Sequence, residues 1–249
     1  MTEDIAWLAE LKEWDFTVVF ARNMDPDELA QRLSAREASP VARPLTEAQA
    51  RTMAWSGQSE DYGAASVARV GRSGGWSFAL EYGAPVGGYR WRELSQDGSE
   101  AVVLSSWPDH PPAQFEYARD GHLLCSFGIG EERTRHGEDR DILLPALVGE
   151  GLLRHGGTEY AEESEGIRHH RRRCLTVIGA HFGLSLPQDW LDVTPMPAYV
   201  VNGTADTFLF DRSPESDAVR AWARANGYLV NDNGRIPAAI REAYANQQD

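Results

Sequence analysis

Between Ser66 and Phe127 strand-like runs alternate with turn residues, and this rhythm constrains the fold more than any other feature of the chain. Ser66 to Val70 and Trp76 to Tyr82, rich in β-branched and aromatic residues, flank Gly71-Arg72-Ser73-Gly74-Gly75. Ala101 to Trp107 and Ala113 to Tyr117 flank Pro108-Asp109-His110-Pro111-Pro112. Asp120-Gly121, a pair suited to a two-residue hairpin turn, sits between Phe115-Glu116-Tyr117 and His122 to Phe127. Strands joined so closely pair antiparallel, because a parallel crossover needs about a dozen residues or more. The expectation is a meander of antiparallel strands.

Helical signals lie on both sides of that core. After a strand at Asp15 to Phe20, Asp25-Pro26-Asp27-Glu28 supplies a cap, a proline at the first helical position and acids in the first turn. Thr46 and Gln49 form a second start signal, a hydroxyl with a side-chain amide three residues on. A helix is expected over Ile142 to Leu153, interrupted by Pro145 and glycines, and a stronger one from Ile167 to Gly183. There Cys174, Leu175, Val177, Ile178 and Phe182 share one face. The fold class is α+β: an antiparallel sheet with helices packed on it, followed by a small C-terminal two-helix domain.

Prolines at 195, 197 and 214 and the pair Asn202-Gly203 break the pattern after residue 192. The expected organisation is therefore a body at 1–192, a linker at 193–214 and a small domain at 215–249. Tyr199-Val200-Val201 and Phe208-Leu209-Phe210 are apolar enough to pack back on the body. The acidic start and the lack of a long apolar run argue for a cytoplasmic chain with no membrane partner. Cys125 and Cys174 belong to no C-x-x-C pair and read as buried thiols.

Charge limits where nucleic acid could be held. The whole chain carries −14; from Ser213 onward four arginines face five acids, leaving −1 there and −13 on the body. Such a body repels a phosphate backbone, so contact with DNA must be local to the tail.

Within the body the densest basic run is Arg168-His169-His170-Arg171-Arg172-Arg173. It could grip an anion, and His170, Cys174 and His181 could be drawn as a metal site. The simpler reading is a solvated charge face partnered by Glu159, Glu162, Glu163 and Glu165. Gly71 to Gly75 lacks the G-K-[ST] ending of a phosphate loop, and no G-x-S-x-G elbow occurs. No catalytic residue, metal ligand or cofactor is assigned, and the chain is expected not to be an enzyme.

Gly74-Gly75-Trp76-Ser77-Phe78-Ala79-Leu80-Glu81, the Asp120-Gly121 turn with Leu124-Cys125-Ser126-Phe127, and the late amphipathic helix resemble an actinobacterial domain family of unknown function, DUF6461, over about residues 12–192. The resemblance implies a boundary and no activity.

The tail reads differently. Ser216 to Arg224 is a short amphipathic helix with a serine cap and with Val219, Trp222 and Ala223 on one face, ended by Asn226-Gly227. Pro237 restarts a helix in which Ile236, Ile240, Ala243 and Tyr244 recur at helical spacing. Val219, Trp222, Ile240 and Tyr244 would form a minimal core that presents the loop between. In order and spacing, Val219-Arg220-Ala221-Trp222-Ala223, Asn226-Gly227-Tyr228, Gly234-Arg235-Ile236-Pro237 and Ala243-Tyr244 resemble the DNA-binding domain of Lsr2, a xenogeneic-silencing nucleoid protein of actinobacteria. The resemblance spans about Ser216 to Ala245.

In that family an Arg-Gly-Arg hook enters the minor groove of AT-rich DNA. A narrow AT-rich groove has enhanced negative potential that draws in an arginine. The resemblance implies DNA contact by Asn233, Gly234 and Arg235, with Arg220, Arg224 and Asn231 in the same set. Asn233 stands at the first arginine of the hook, leaving Arg235 as its one intact charge. AT-rich DNA is then the partner and the nucleoid the location. The pattern also resembles the peripheral subunit-binding domain of 2-oxoacid dehydrogenase acyltransferases, a protein-binding module. A protein-interaction or immunity-type role, with the acidic body or the tail taking a basic protein partner, is the alternative.

Overall fold

The computed structural model describes residues 4–12, 14–34, 38–56, 66–106, 111–161, 166–201, 214–226 and 243–244. The chain divides into two compact units, Met1–Gly203 and Thr204–Asp249.

The first unit is built on an eight-stranded sheet. In chain order its strands are β1 Thr17–Ala21, β2 Ser39–Pro40, β3 Ser66–Ser73, β4 Trp76–Gly83, β5 Glu100–Ser105, β6 Gln114–Arg119, β7 His122–Gly128 and β8 Ala198–Val201. Their spatial order is β2-β8-β3-β4-β1-β5-β6-β7, with every pairing antiparallel. The hairpins legible in the sequence form. Asp120 and Gly121 take φ of 53° and 78°, and Gly74 and Gly75 take 57° and 85°, the left-handed pairs that let two residues join twisted strands.

The sheet is not a simple meander, however. β1, from the start of the chain, inserts between β4 and β5, with Val19 opposite Ala79 on one side and Val103 on the other. All five of its residues are buried, as a strand covered on both faces and both edges requires. β8 enters between β2 and β3, pairing Ala68 with Tyr199, so part of the expected linker belongs to the sheet.

Two apolar layers sandwich the sheet. On one face Val18, Phe20, Trp76, Phe78, Leu80, Phe115 and Phe127 pack beneath the helix α5, Ile167–Phe182, and the 3₁₀ turn Ala6–Glu10. The opposite face is lined by smaller side chains, Val19, Ala21, Ala68, Ala79, Ala101 and Val103, which allow close approach by Leu29, Ala30 and Leu33 of α1, Pro26–Leu33. Each large side chain so buried contributes roughly 1.5–3 kcal/mol.

Local chemistry sets the helix ends. Asp25 accepts from the Glu28 amide at 2.8 Å to start α1. Thr46 and Gln49 exchange bonds of 3.1 and 3.4 Å before α2, Glu47–Ser56. α3 is the short Trp91–Leu94. The helix expected over 142–153 contracts to α4, Leu144–Gly149. Pro145 is tolerated only in a first turn, and Gly151, at φ 73°, follows the end. α5 stops at Gly183, left-handed at φ 66°, and α6 is Asp189–Asp192. Among the described residues no helix is long and apolar enough to cross a membrane.

Arg69 ties this unit together from inside. Fully buried on β3, it donates to the carbonyls of Leu45, Trp190, Leu191 and Thr194 and to the Tyr82 hydroxyl, at 2.6–3.1 Å. One side chain thereby fastens the approach to α2 and the α6 segment to the sheet.

Candidate nucleic-acid interface

The second unit contains α7, Pro214–Ala225. Its sequence explains its start: Pro214 is preorganised for the first turn, and Glu215 and Asp217 follow where acids complement the helix dipole. Ser216, expected as the cap, therefore falls inside the helix. At the other end the Asn226 amide returns to the carbonyls of Trp222 and Ala223 at 3.0 and 3.2 Å, and its side chain donates to Trp222 at 2.9 Å.

Val219 and Ala223, four residues apart on one face, are 3% and 0% exposed and form the core of this unit with Trp222 and Tyr244. The Trp222 and Tyr244 rings meet edge to face at 5.5 Å and 68°, a geometry worth about 0.5–1.5 kcal/mol beyond area burial. Three of the four expected core residues are thus in contact, and Ile240 lies outside the described residues.

Asn231, Asn233, Gly234 and Arg235 lie outside the described residues. Arg220 and Arg224 are on α7, but their side chains are likewise outside the description.

The titratable groups of the first unit are arranged mainly as internal ties. Glu81 on β4 is completely buried; burial raises its carboxyl to about 7, opposed by bonds from the Gly87 and Val86 amides at 2.9 and 3.3 Å. Gly87 is required there, since a Cβ would stand 2.6 Å from the Glu81 carboxylate and 2.5 Å from Val19. Burial also lifts Glu116, on β6, to about 7. Cys125 and Cys174 are buried free thiols, Cys125 pushed up to about 12 by burial and Cys174 well above its ordinary value.

Among the described residues the basic run of α5 is partnered by carboxylates from other elements. His170 meets the buried Glu132 at 2.9 Å, Arg172 meets Glu10 at 2.8 Å, and Arg173 meets Glu150 at 3.4 Å. Glu159 instead faces Arg154, and Glu162, Glu163 and Glu165 are outside the described residues. Burial acts to raise Glu132, but the hydrogen bond and charge of His170 outweigh it and hold the carboxyl below its ordinary value. Among the described residues no group of three metal-ligating side chains converges, and His170, Cys174 and His181 form no such set.

An antiparallel α+β body joined to a small helical unit with an aromatic clasp defines the class of protein. Residues 1–172 match a family of unknown function, DUF6461, and the chain belongs to that family. Residues 211–246 match the Lsr2 DNA-binding domain, which makes DNA the partner indicated for the tail. The DUF6461 match ends within α5, whereas the folded body continues through β8. No curated protein and no solved structure matches the chain.

Proposed function

We propose that this chain is a non-enzymatic, nucleoid-associated or regulatory protein that contacts the minor groove of AT-rich DNA through Arg235. The observation that carries this reading is the match of residues 211–246 to the Lsr2 DNA-binding domain, supported by the Trp222–Tyr244 contact between residues on either side of the hook sequence. Gly234 gives the backbone room to approach the groove floor, and Arg235 supplies the charge. Asn233 can still hydrogen-bond the A N3 and T O2 acceptors but adds no charge. A tail of net −1 attracts phosphate weakly. Binding by one copy is therefore weak and depends on groove shape.

Fluorescence anisotropy of the full chain on matched AT-rich and GC-rich duplexes tests the reading. Tighter binding to the AT-rich duplex is expected; equal affinity for both would remove the groove-reading role. The charge of −13 on the body supports a second reading, in which a basic protein is the partner. Pull-downs from nuclease-treated and untreated lysates separate the two. A basic protein retained in both, with DNA recovered in neither, favours the second.

A further inference from the structure

The body contains a cavity of about 370 Å³ that none of the interactions above uses. Its size falls in the roughly 300–1,000 Å³ range of small-molecule sites. It lies between residues 8–12 with Trp14 and Asp15, Ser106 beyond β5, Ile129 beyond β7, and α5. Leu8, Trp14, Ile129 and Leu175 supply apolar wall, while Lys12, Asp15 and Arg171 supply charge.

Arg171 is the informative member. Its neighbours His170, Arg172 and Arg173 are all engaged by carboxylates. Among the described residues none accepts a hydrogen bond from Arg171, although its Nε is shut off from solvent. An N–H buried without an acceptor is costly, and more so in a charged group. Asp15, on the same cavity, does not relieve it: both its carboxylate oxygens are taken by Arg51, each at 2.7 Å. The Trp14 indole N–H is also committed, to the Phe16 carbonyl at 2.9 Å, which leaves its ring as apolar wall.

We infer that this cavity binds a small amphipathic carboxylate, its head on Arg171 and its aliphatic or aromatic body against Trp14, Leu8, Ile129 and Leu175. A guanidinium presents paired N–H groups matched to a planar carboxylate. The local charge suits a monoanion. Arg171 and the exposed Lys12 supply two positive charges, while Asp15 shares Arg51 with Glu47 in a cluster of net −1, so the surroundings sum to one positive charge and a dianion would be left partly uncompensated.

Calorimetric titration of the full chain with octanoate and phenylacetate, each beside its neutral amide, tests this. At least one acid should bind, with its amide at least tenfold weaker. Arg171→Met should lose at least tenfold for the acid while the circular dichroism spectrum stays native, and Arg171→Lys should fall between. Arg168→Met, which changes an exposed arginine of the same helix, should bind as the wild type does. Absence of binding by both acids, equal binding of acid and amide, or undiminished binding by Arg171→Met would overturn the inference. If Arg171→Met does not fold, Arg171→Lys decides alone: wild-type affinity contradicts the assignment, and a measurable loss supports it.

Discussion

Replacing Glu81 with glutamine should make the stability of the body less dependent on pH, in a direction opposite to that of an ordinary carboxylate. In the folded chain burial raises Glu81 to about 7, against 4.5 for an ordinary glutamate. Between those values the native state holds a proton that the unfolded state has released, so stability falls as pH rises from 4.5 to about 7 and is flat above. The distance between 4.5 and about 7 corresponds to about 3 kcal/mol. Glu81→Gln cannot ionise and escapes that loss. It does turn one acceptor of the Gly87 and Val86 amides into a donor, which costs about 1 kcal/mol at any pH.

The variant should therefore be less stable than wild type by about 1 kcal/mol at pH 4, and more stable by about 2 kcal/mol at pH 8. Urea titrations of both proteins from pH 4 to 8, followed by tryptophan fluorescence, give the difference directly, and groups common to both cancel. A difference that does not change with pH would contradict this: Glu81 would then titrate in the folded state as it does in the unfolded chain, its amide partners offsetting burial.

Arg69→Ala leaves four carbonyls and the Tyr82 hydroxyl without their shared donor and should destabilise the body by about 4 kcal/mol or more, read as a fall in its thermal midpoint. His170→Ala removes the partner that holds Glu132 below its ordinary value. The contribution of a depressed carboxyl is present above 4.5 and lost as pH falls through its folded value, so the destabilisation should be largest at mildly acid pH above 4.5, where carboxylate and imidazolium coexist, and shrink in acid denaturation curves. Trp222→Ala removes one side of the Trp222–Tyr244 contact and should abolish DNA binding in gel shifts while the body's main unfolding transition stays within about 0.5 kcal/mol.

What could be read from the sequence was local. The hairpin turns, the caps at Asp25 and Thr46, the glycine stop of α5 and the hook pattern each lie within a few residues of one another, so short-range stereochemistry specifies them. The insertion of β1 and the recruitment of β8 depend on pairings such as Ala68 with Tyr199, which no local signal encodes. Glu81 was hidden for a related reason. In Trp76-Ser77-Phe78-Ala79-Leu80-Glu81-Tyr82 it occupies the small and polar set of an alternating strand, which reads as a solvent face, yet the Val86–Gly87 segment covers it. Among the described residues the basic run of α5 likewise has partners distant in sequence, Glu10, Glu132 and Glu150. A sequence run identifies the charge, but not what faces it.

Groove reading by Arg235 is tested by anisotropy on an AT-rich and a GC-rich duplex with wild type, Arg235→Ala and Asn233→Arg, each at two salt concentrations. Arg235→Ala should lose the AT preference altogether. Asn233→Arg should bind more tightly, with the slope of log K against log salt steeper by about one unit for each phosphate gained. Wild type and Arg235→Ala binding both duplexes with the same affinity would contradict it, and would leave the tail as a protein-binding module.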